Sequence, residues 1–115
     1  MLNKANRLLT NFEFNISRKY GKRFSGNFFH LFILEPRNYT GPTKVGFVVS
    51  TKFHKSAVKR NRVKRVFREA VRRSFDTIKP GYWVVIHPKT TAITKKYEEI
   101  SVDYNRLLQK IYFTR

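Results

Sequence analysis

The chain contains no cysteine and only 7 acidic residues, against 25 Lys and Arg in 115. The first absence excludes a disulfide scaffold, a thiol nucleophile and any cysteine-based zinc site. It also fits a reducing compartment. Three histidines, His30, His54 and His87, sit at unrelated positions and make no metal-ligand spacing. Long apolar runs are missing as well. The longest, at 28–34 and 82–86, fall far below the ~18 residues that cross a bilayer, and the N-terminus carries no signal-peptide apolar region. The expectation is a soluble, cytoplasmic protein.

The shortage of acid leaves a net charge of +18. That is roughly one uncompensated positive charge per six residues, which opposes compaction and suits a polyanionic partner. Nucleic acid is the first expectation and an anionic membrane surface the second. A permanently unfolded basic tail is excluded by 11 Phe and 6 Tyr, because segments that never fold are poor in aromatics. The length suffices for one modest core, and no repeat, low-complexity segment or linker divides the chain, so 1–115 reads as a single domain.

The charge is concentrated. Residues 52–73 hold 10 basic residues and 1 acid, half of the net charge in 22 positions. Hydrophobic periodicity places this segment and its neighbours. Asn11 is an N-cap candidate for a helix reaching about Tyr20, with Glu13 in its first turn, Gly21 as its stop, and Phe12, Ile16 and Tyr20 as its buried stripe. Residues 28–34 (FFHLFIL) read as a strand apolar on both faces, 38–43 as a turn, and 45–50 (VGFVVS) as a second strand forming a hairpin with the first. Residues 56–75 form the clearest helix, since Val63, Val66, Phe67, Ala70, Val71 and Phe75 make one stripe. Residues 82–86 (YWVVI) are a third strand. Tyr97, Ile100, Tyr104, Leu107, Leu108 and Ile111 line a last helix. The fold class is α+β, in the order α-β-β-α-β-α, with helices packed on a small central sheet.

On a wheel advancing ~100° per residue from Val63, the apolar stripe of the central helix centres near ~20°, while Asn61, Arg65, Arg68 and Arg72 fall opposite at roughly 140–200°. Arg60 and Lys64 flank one side; Arg62, Glu69 and Arg73 flank the other. Solvated helix faces normally mix charge signs to gain i,i+4 pairs, yet Glu69 is the only acid here and Arg outnumbers Lys by 6 to 1 over 60–73. Forked guanidinium groups facing outward suit phosphate oxygens.

The string Ala57-Val58-Lys59-Arg60-Asn61-Arg62-Val63-Lys64-Arg65, followed by Arg68 and Glu69, resembles the Arg-Asn-Arg signature of the bacterial ribonuclease P protein subunit. It follows the strand Val45-Gly46-Phe47-Val48-Val49-Ser50 and is preceded by Arg7-Leu8 and Phe14, so the resemblance runs from about Arg7 to Ile111. It implies a ribosomal-protein-domain-like fold with a left-handed β-α-β crossover. The implied protein is not itself catalytic: it joins a catalytic RNA that removes the 5′ leader of precursor tRNA, with Mg²⁺ held mainly by the RNA. One copy, monomeric, is implied per RNA, without a membrane partner. Arg60, Asn61, Arg62, Lys64, Arg65 and Arg68 are the residues implied to face that RNA, and Arg72 shares their face. The resemblance likewise implies a cleft for the single-stranded leader, with Phe14 and Phe32 as its aromatics, Val48 and Ser50 as neighbours on one strand face, and Arg18 where relatives carry a second aromatic.

The residues support part of this independently. Phe14 points roughly 160–200° away from Phe12 and Ile16, and an aromatic off the core stripe can stack on unpaired bases for ~1–3 kcal/mol each. Three departures stand out: the loop 51–56 lacks glycine and is one residue longer, Arg18 replaces an aromatic, and His87 replaces an arginine. A ribosomal-protein-like or RNA-chaperone role is the alternative function. Independent catalysis has little support, because none of the seven carboxylates pairs with a His at metal or triad spacing, and Glu98, Glu99 and Asp103 read as an exposed helix face.

Overall fold

The computed structural model describes residues 4–111 of the chain. Helix α1 spans Asn11–Tyr20. Its N-cap is Thr10 rather than Asn11: the Thr10 hydroxyl accepts from the Glu13 N–H at 3.1 Å, and Glu13 Oε1 accepts from the N–H of Thr10 and of Leu9, each at 3.0 Å. This capping box satisfies donors that the first turn of a helix leaves free. The expected stripe is also corrected. Phe12 and Tyr20 remain 64% and 66% exposed, and the buried positions are Glu13 and Ser17. The reason is that Glu13 and Ser17 occupy the sheet-facing side of α1, with Phe14 half-buried beside them over β3, while Phe12 and Tyr20 point away from the sheet.

Four strands follow: β1 (Lys22–Ser25), β2 (Phe29–Leu34), β3 (Lys44–Phe47) and β4 (Trp83–Pro88). Their order in the sheet is β1-β2-β4-β3. β1, absent from the sequence reading, forms the real hairpin with β2, Lys22 opposite Ile33 and Ser25 opposite His30. The expected pairing of 28–34 with 45–50 does not occur, because β4 lies between them, antiparallel to β2 and parallel to β3. The physical reason is burial: Val84, Val85 and Ile86 are all buried, so this strand needs cover on both faces and a neighbour on both edges. The observed order is therefore α-β-β-β-α-β-α.

Burial alternates along β2, although Phe32 and Leu34 keep its second face largely apolar. Phe29, Leu31 and Ile33 are fully buried, while His30, Phe32 and Leu34 are half-buried on the opposite face. The buried face meets α2 (Ala57–Ser74) and α3 (Tyr97–Leu108), in a core holding Val63, Phe67, Ala70, Val71, Ile100, Tyr104 and Leu108. The Phe29 and Phe67 rings meet edge to face at 5.6 Å. Val66 and Phe75 pack at the rim of this core. α1 crosses the other face of the sheet, over β2 and β4.

Asp103 is corrected too. It is buried, and its two oxygens accept from the N–H of Asn27 at 2.8 Å and of Phe28 at 2.9 Å. A carboxylate on α3 thus ties down the β1–β2 turn, a role that an acidic helix-face pattern does not reveal.

Candidate nucleic-acid interface

The basic helix comes first, because packing decides which of its cations are free. Ser56 caps α2, its hydroxyl accepting from the Lys59 N–H at 3.3 Å, and the apolar stripe on the core turns the remaining faces outward. Arg60 folds back on the glycine-free loop, donating to the carbonyls of His54 at 2.7 Å and Lys55 at 2.9 Å. Arg62 donates to the carbonyls of Ile93 at 3.0 Å and Lys95 at 2.8 Å, pinning the segment that enters α3. Arg72 and Arg73 share Glu69, at 2.5 Å and 2.8 Å. Their hydrogen bonds hold the Glu69 carboxyl down at about 2.

The rest of the set is open. Asn61 and Arg65 are exposed, Lys64 and Arg68 half-buried, and among the described residues no carboxylate pairs with Lys64, Arg65 or Arg68. Of the seven positions read as RNA-facing, Arg60, Arg62 and Arg72 thus spend hydrogen bonds on their own chain. Among the described residues Lys64, Arg65 and Arg68 meet no carboxylate, which leaves their charge available to an external anion.

The second half of the site lies under α1. On that face the sheet presents two cross-strand rows: Arg23, Phe32, Val85 and Gly46, then Ser25, His30 and His87. Phe14 leans over β3 at Gly46, where a Cβ would meet its ring at 2.4 Å and the Leu8 Cβ at 3.0 Å. A glycine there lets the ring approach the strand backbone closely. Beside it opens a cavity of about 220 Å³ lined by Arg7, Leu8, Phe14, Gly46, Phe47 and Arg68. Arg68 therefore joins the basic helix to the α1 side of the sheet across the edge strand. Glu13 Oε2 and Lys44 Nζ, 3.2 Å apart, fasten the start of α1 to β3.

Phe32 sits mid-sheet on the α1 face and Arg18 is exposed on α1, its guanidinium donating to Asn15 Oδ1 at 3.0 Å. Val48 and Ser50 do not share a strand face, because β3 ends at Phe47. The Val48 N–H still donates to the Ile86 carbonyl at 3.0 Å, but the Ser50 carbonyl already closes a turn with the Phe53 N–H. Sequence pattern singles out neither Arg23 nor Lys89 and gives Gly46 only as part of a strand; His30 and His87, expected at unrelated positions, are direct cross-strand partners. The alternation that puts Phe32 on one face also puts His30 there, which is the signal that was available. Among the described residues no group of three or more His, Asp or Glu could hold a metal ion.

Comparisons with known proteins agree with this architecture. The family model for Ribonuclease P matches residues 2–112. The chain is 36% identical over 110 residues to the Ribonuclease P protein component of Pseudanabaena sp., covering 96% of this chain and 94% of that protein. A match to the same component of Synechococcus sp. is 42% identical over 69 residues, spanning 60% of this chain and about half, 52%, of that protein's length. In structure it is similar to the Staphylococcus aureus RNase P protein, with a TM-score of 0.84 at 21% identity over 97% of this chain and 100% of that one, a likeness of fold. The Thermotoga maritima RNase P protein gives a TM-score of 0.78 at 26% identity over 91% and 96% of the two chains. With the family pattern running over nearly its whole length, the chain belongs to the ribonuclease P protein family.

Proposed function

We propose that this chain is the non-catalytic protein subunit of a cytoplasmic ribonuclease P, acting in tRNA 5′ processing as one copy per catalytic RNA. α2 binds that RNA, and the α1 face of the sheet holds the 5′ leader of precursor tRNA while the RNA, with its Mg²⁺, cleaves. The observation that carries this reading is the unpaired run Lys64, Arg65 and Arg68, which leads around the edge strand to the Phe14 ring. Phosphates would be met along α2 by forked guanidinium groups. Unpaired bases would be met by Phe14 and Phe32, whose stacking contributes ~1–3 kcal/mol per base without selecting a sequence. Such a division gives affinity for both RNAs from one small domain.

Reconstitution tests it. The protein should increase cleavage of a leader-bearing precursor tRNA by a bacterial ribonuclease P RNA at low Mg²⁺, and protein without RNA should cleave nothing. Phe14→Ala should reduce the preference for precursor over mature tRNA and leave binding to the catalytic RNA nearly intact. No gain in rate or affinity on adding the protein would favour the ribosomal-protein-like or chaperone alternative instead.

A further inference from the structure

Two histidines face each other on the α1 side of the sheet. His30 on β2 and His87 on β4 are direct cross-strand partners, which places their Cβ atoms about 5 Å apart. Both are half-buried and open to solvent on one side. Among the described residues, the charged groups acting on them are all positive. β1 contributes Arg23, whose Nη2 lies 3.1 Å from His30 Nδ1 and 3.4 Å from Nε2. α1 contributes Arg18 beside His87, and Lys89 follows β4, its ammonium held 2.9 Å from the Gly26 carbonyl. From α3, the Asp103 carboxylate is turned to the N–H groups of Asn27 and Phe28, and among the described residues no carboxylate pairs with either imidazole.

Arg23 Nη2, within 3.4 Å of both His30 ring nitrogens, sets a fixed positive charge against the imidazole. The Ser25 hydroxyl also reaches Nδ1, at 2.9 Å. In the free protein the Arg23 contact disfavours the imidazolium, because protonating His30 would set a second positive charge against Arg23. Burial, then the surrounding cations, keep both imidazoles below the ordinary histidine range, although the Pro88 carbonyl partly offsets this at His87. A phosphate in this ring of cations would reverse the balance. It accepts from imidazolium N–H groups and cancels the repulsion that kept them neutral.

We infer that His30 and His87, with Arg18, Arg23 and Ser25, form a site for a backbone phosphodiester of single-stranded RNA that takes up protons from solvent as the RNA binds. The inference rests on the leader-binding reading above and adds a recognition element to that face. The sign follows from linkage. Groups whose pKa is higher in the complex than in the free protein strengthen binding fully below the free value, and that gain is lost as pH rises through the bound value. Affinity for RNA therefore increases on acidification through the histidine range.

The test uses the full chain and a short oligouridylate, whose bases do not titrate in this range. Imidazole proton resonances are followed by NMR from about pH 8 to about 5.5 with and without RNA, and affinity is measured by fluorescence anisotropy. The expected result is an upward move of the His30 and His87 midpoints on adding RNA. Affinity is expected to be about tenfold tighter at the acid end, corresponding to a combined shift of about one pH unit. In the His30→Gln/His87→Gln variant this pH dependence should be lost. Midpoints that RNA leaves unchanged would overturn the inference, as would an undiminished pH dependence in the variant or an equal effect from the same concentration of inorganic phosphate. Binding at neutral pH without proton uptake would defeat this site alone. Absence of oligouridylate binding at every pH would defeat the leader-binding reading itself.

Discussion

Gly46→Ala probes the contact on which the leader cleft depends. An added Cβ would stand 2.4 Å from two Phe14 ring atoms and 3.0 Å from the Leu8 Cβ. Ordinary carbon contacts lie near 3.5–4.0 Å, so the ring must move by about 1 Å. Two effects oppose each other. Overpacking in a closed setting costs ~1–3 kcal/mol, while alanine at a backbone that tolerates it stabilises by ~0.4–1 kcal/mol through the unfolded chain. Gly46 is buried and lies outside the left-handed region, so the second effect is available and the first should prevail, with a net loss of ~0.5–2 kcal/mol. In a Phe14→Ala background the ring clash disappears and only the tight Leu8 contact remains. Gly46→Ala should then be near neutral, giving a coupling of ~0.5–2 kcal/mol. Urea denaturation of the four proteins measures the stability cycle, and anisotropy with a leader oligonucleotide reads the displaced ring. Equal costs of Gly46→Ala in both backgrounds would refute the placement of Phe14 on β3.

Arg62→Gln should lower stability by ~1–3 kcal/mol, because it strips partners from the Ile93 and Lys95 carbonyls; Arg65→Gln should leave the denaturation midpoint unchanged. Replacing Arg65 and Arg68 together should flatten the salt dependence of RNA affinity by up to ~0.9 per lost phosphate contact, and an unchanged slope would mean that these residues only face solvent. Glu69→Gln releases Arg72 and Arg73 and should steepen that slope. Because the Glu69 carboxyl is held at about 2, its contribution to stability is present above its ordinary range near 4.5 and lost as pH falls toward about 2, which acid titration of wild type against the variant will show. Asp103→Ala should cost ~1–3 kcal/mol by leaving two turn N–H groups unpaired, visible as faster amide exchange at Asn27 and Phe28.

Much of the architecture was legible in the residues. The stripe from Val63 to Phe75 repeats with helical period and places α2 on the sheet without reference to anything distant. The same pattern identifies α3, and the excess of arginine over acid on the outer faces of α2 points to a polyanion. Membership of the ribonuclease P protein family was readable in the Arg-Asn-Arg string and its spacing from Phe14, confirmed by the match over residues 2–112.

Other features depend on contacts between residues far apart in the chain, and no local pattern could hold them. β1 (Lys22–Ser25) is four mostly exposed residues that become a strand only by pairing with β2. The continuous run at 82–86 allowed a central strand, but the choice of neighbours for β4 was made by the sheet. Periodicity assigned Phe12 and Tyr20 to the interior of α1, whereas tertiary packing chose Glu13 and Ser17, whose shorter or hydrogen-bonded side chains allow closer approach. The same holds for charge. Composition supplied ten cations between 52 and 73, but only the fold decided that Arg60 and Arg62 would be spent on backbone carbonyls and Arg68 would reach the Phe14 side of the sheet. Periodicity reports which side of an element is apolar; which partner that side or its cations will meet is decided when the chain closes on itself.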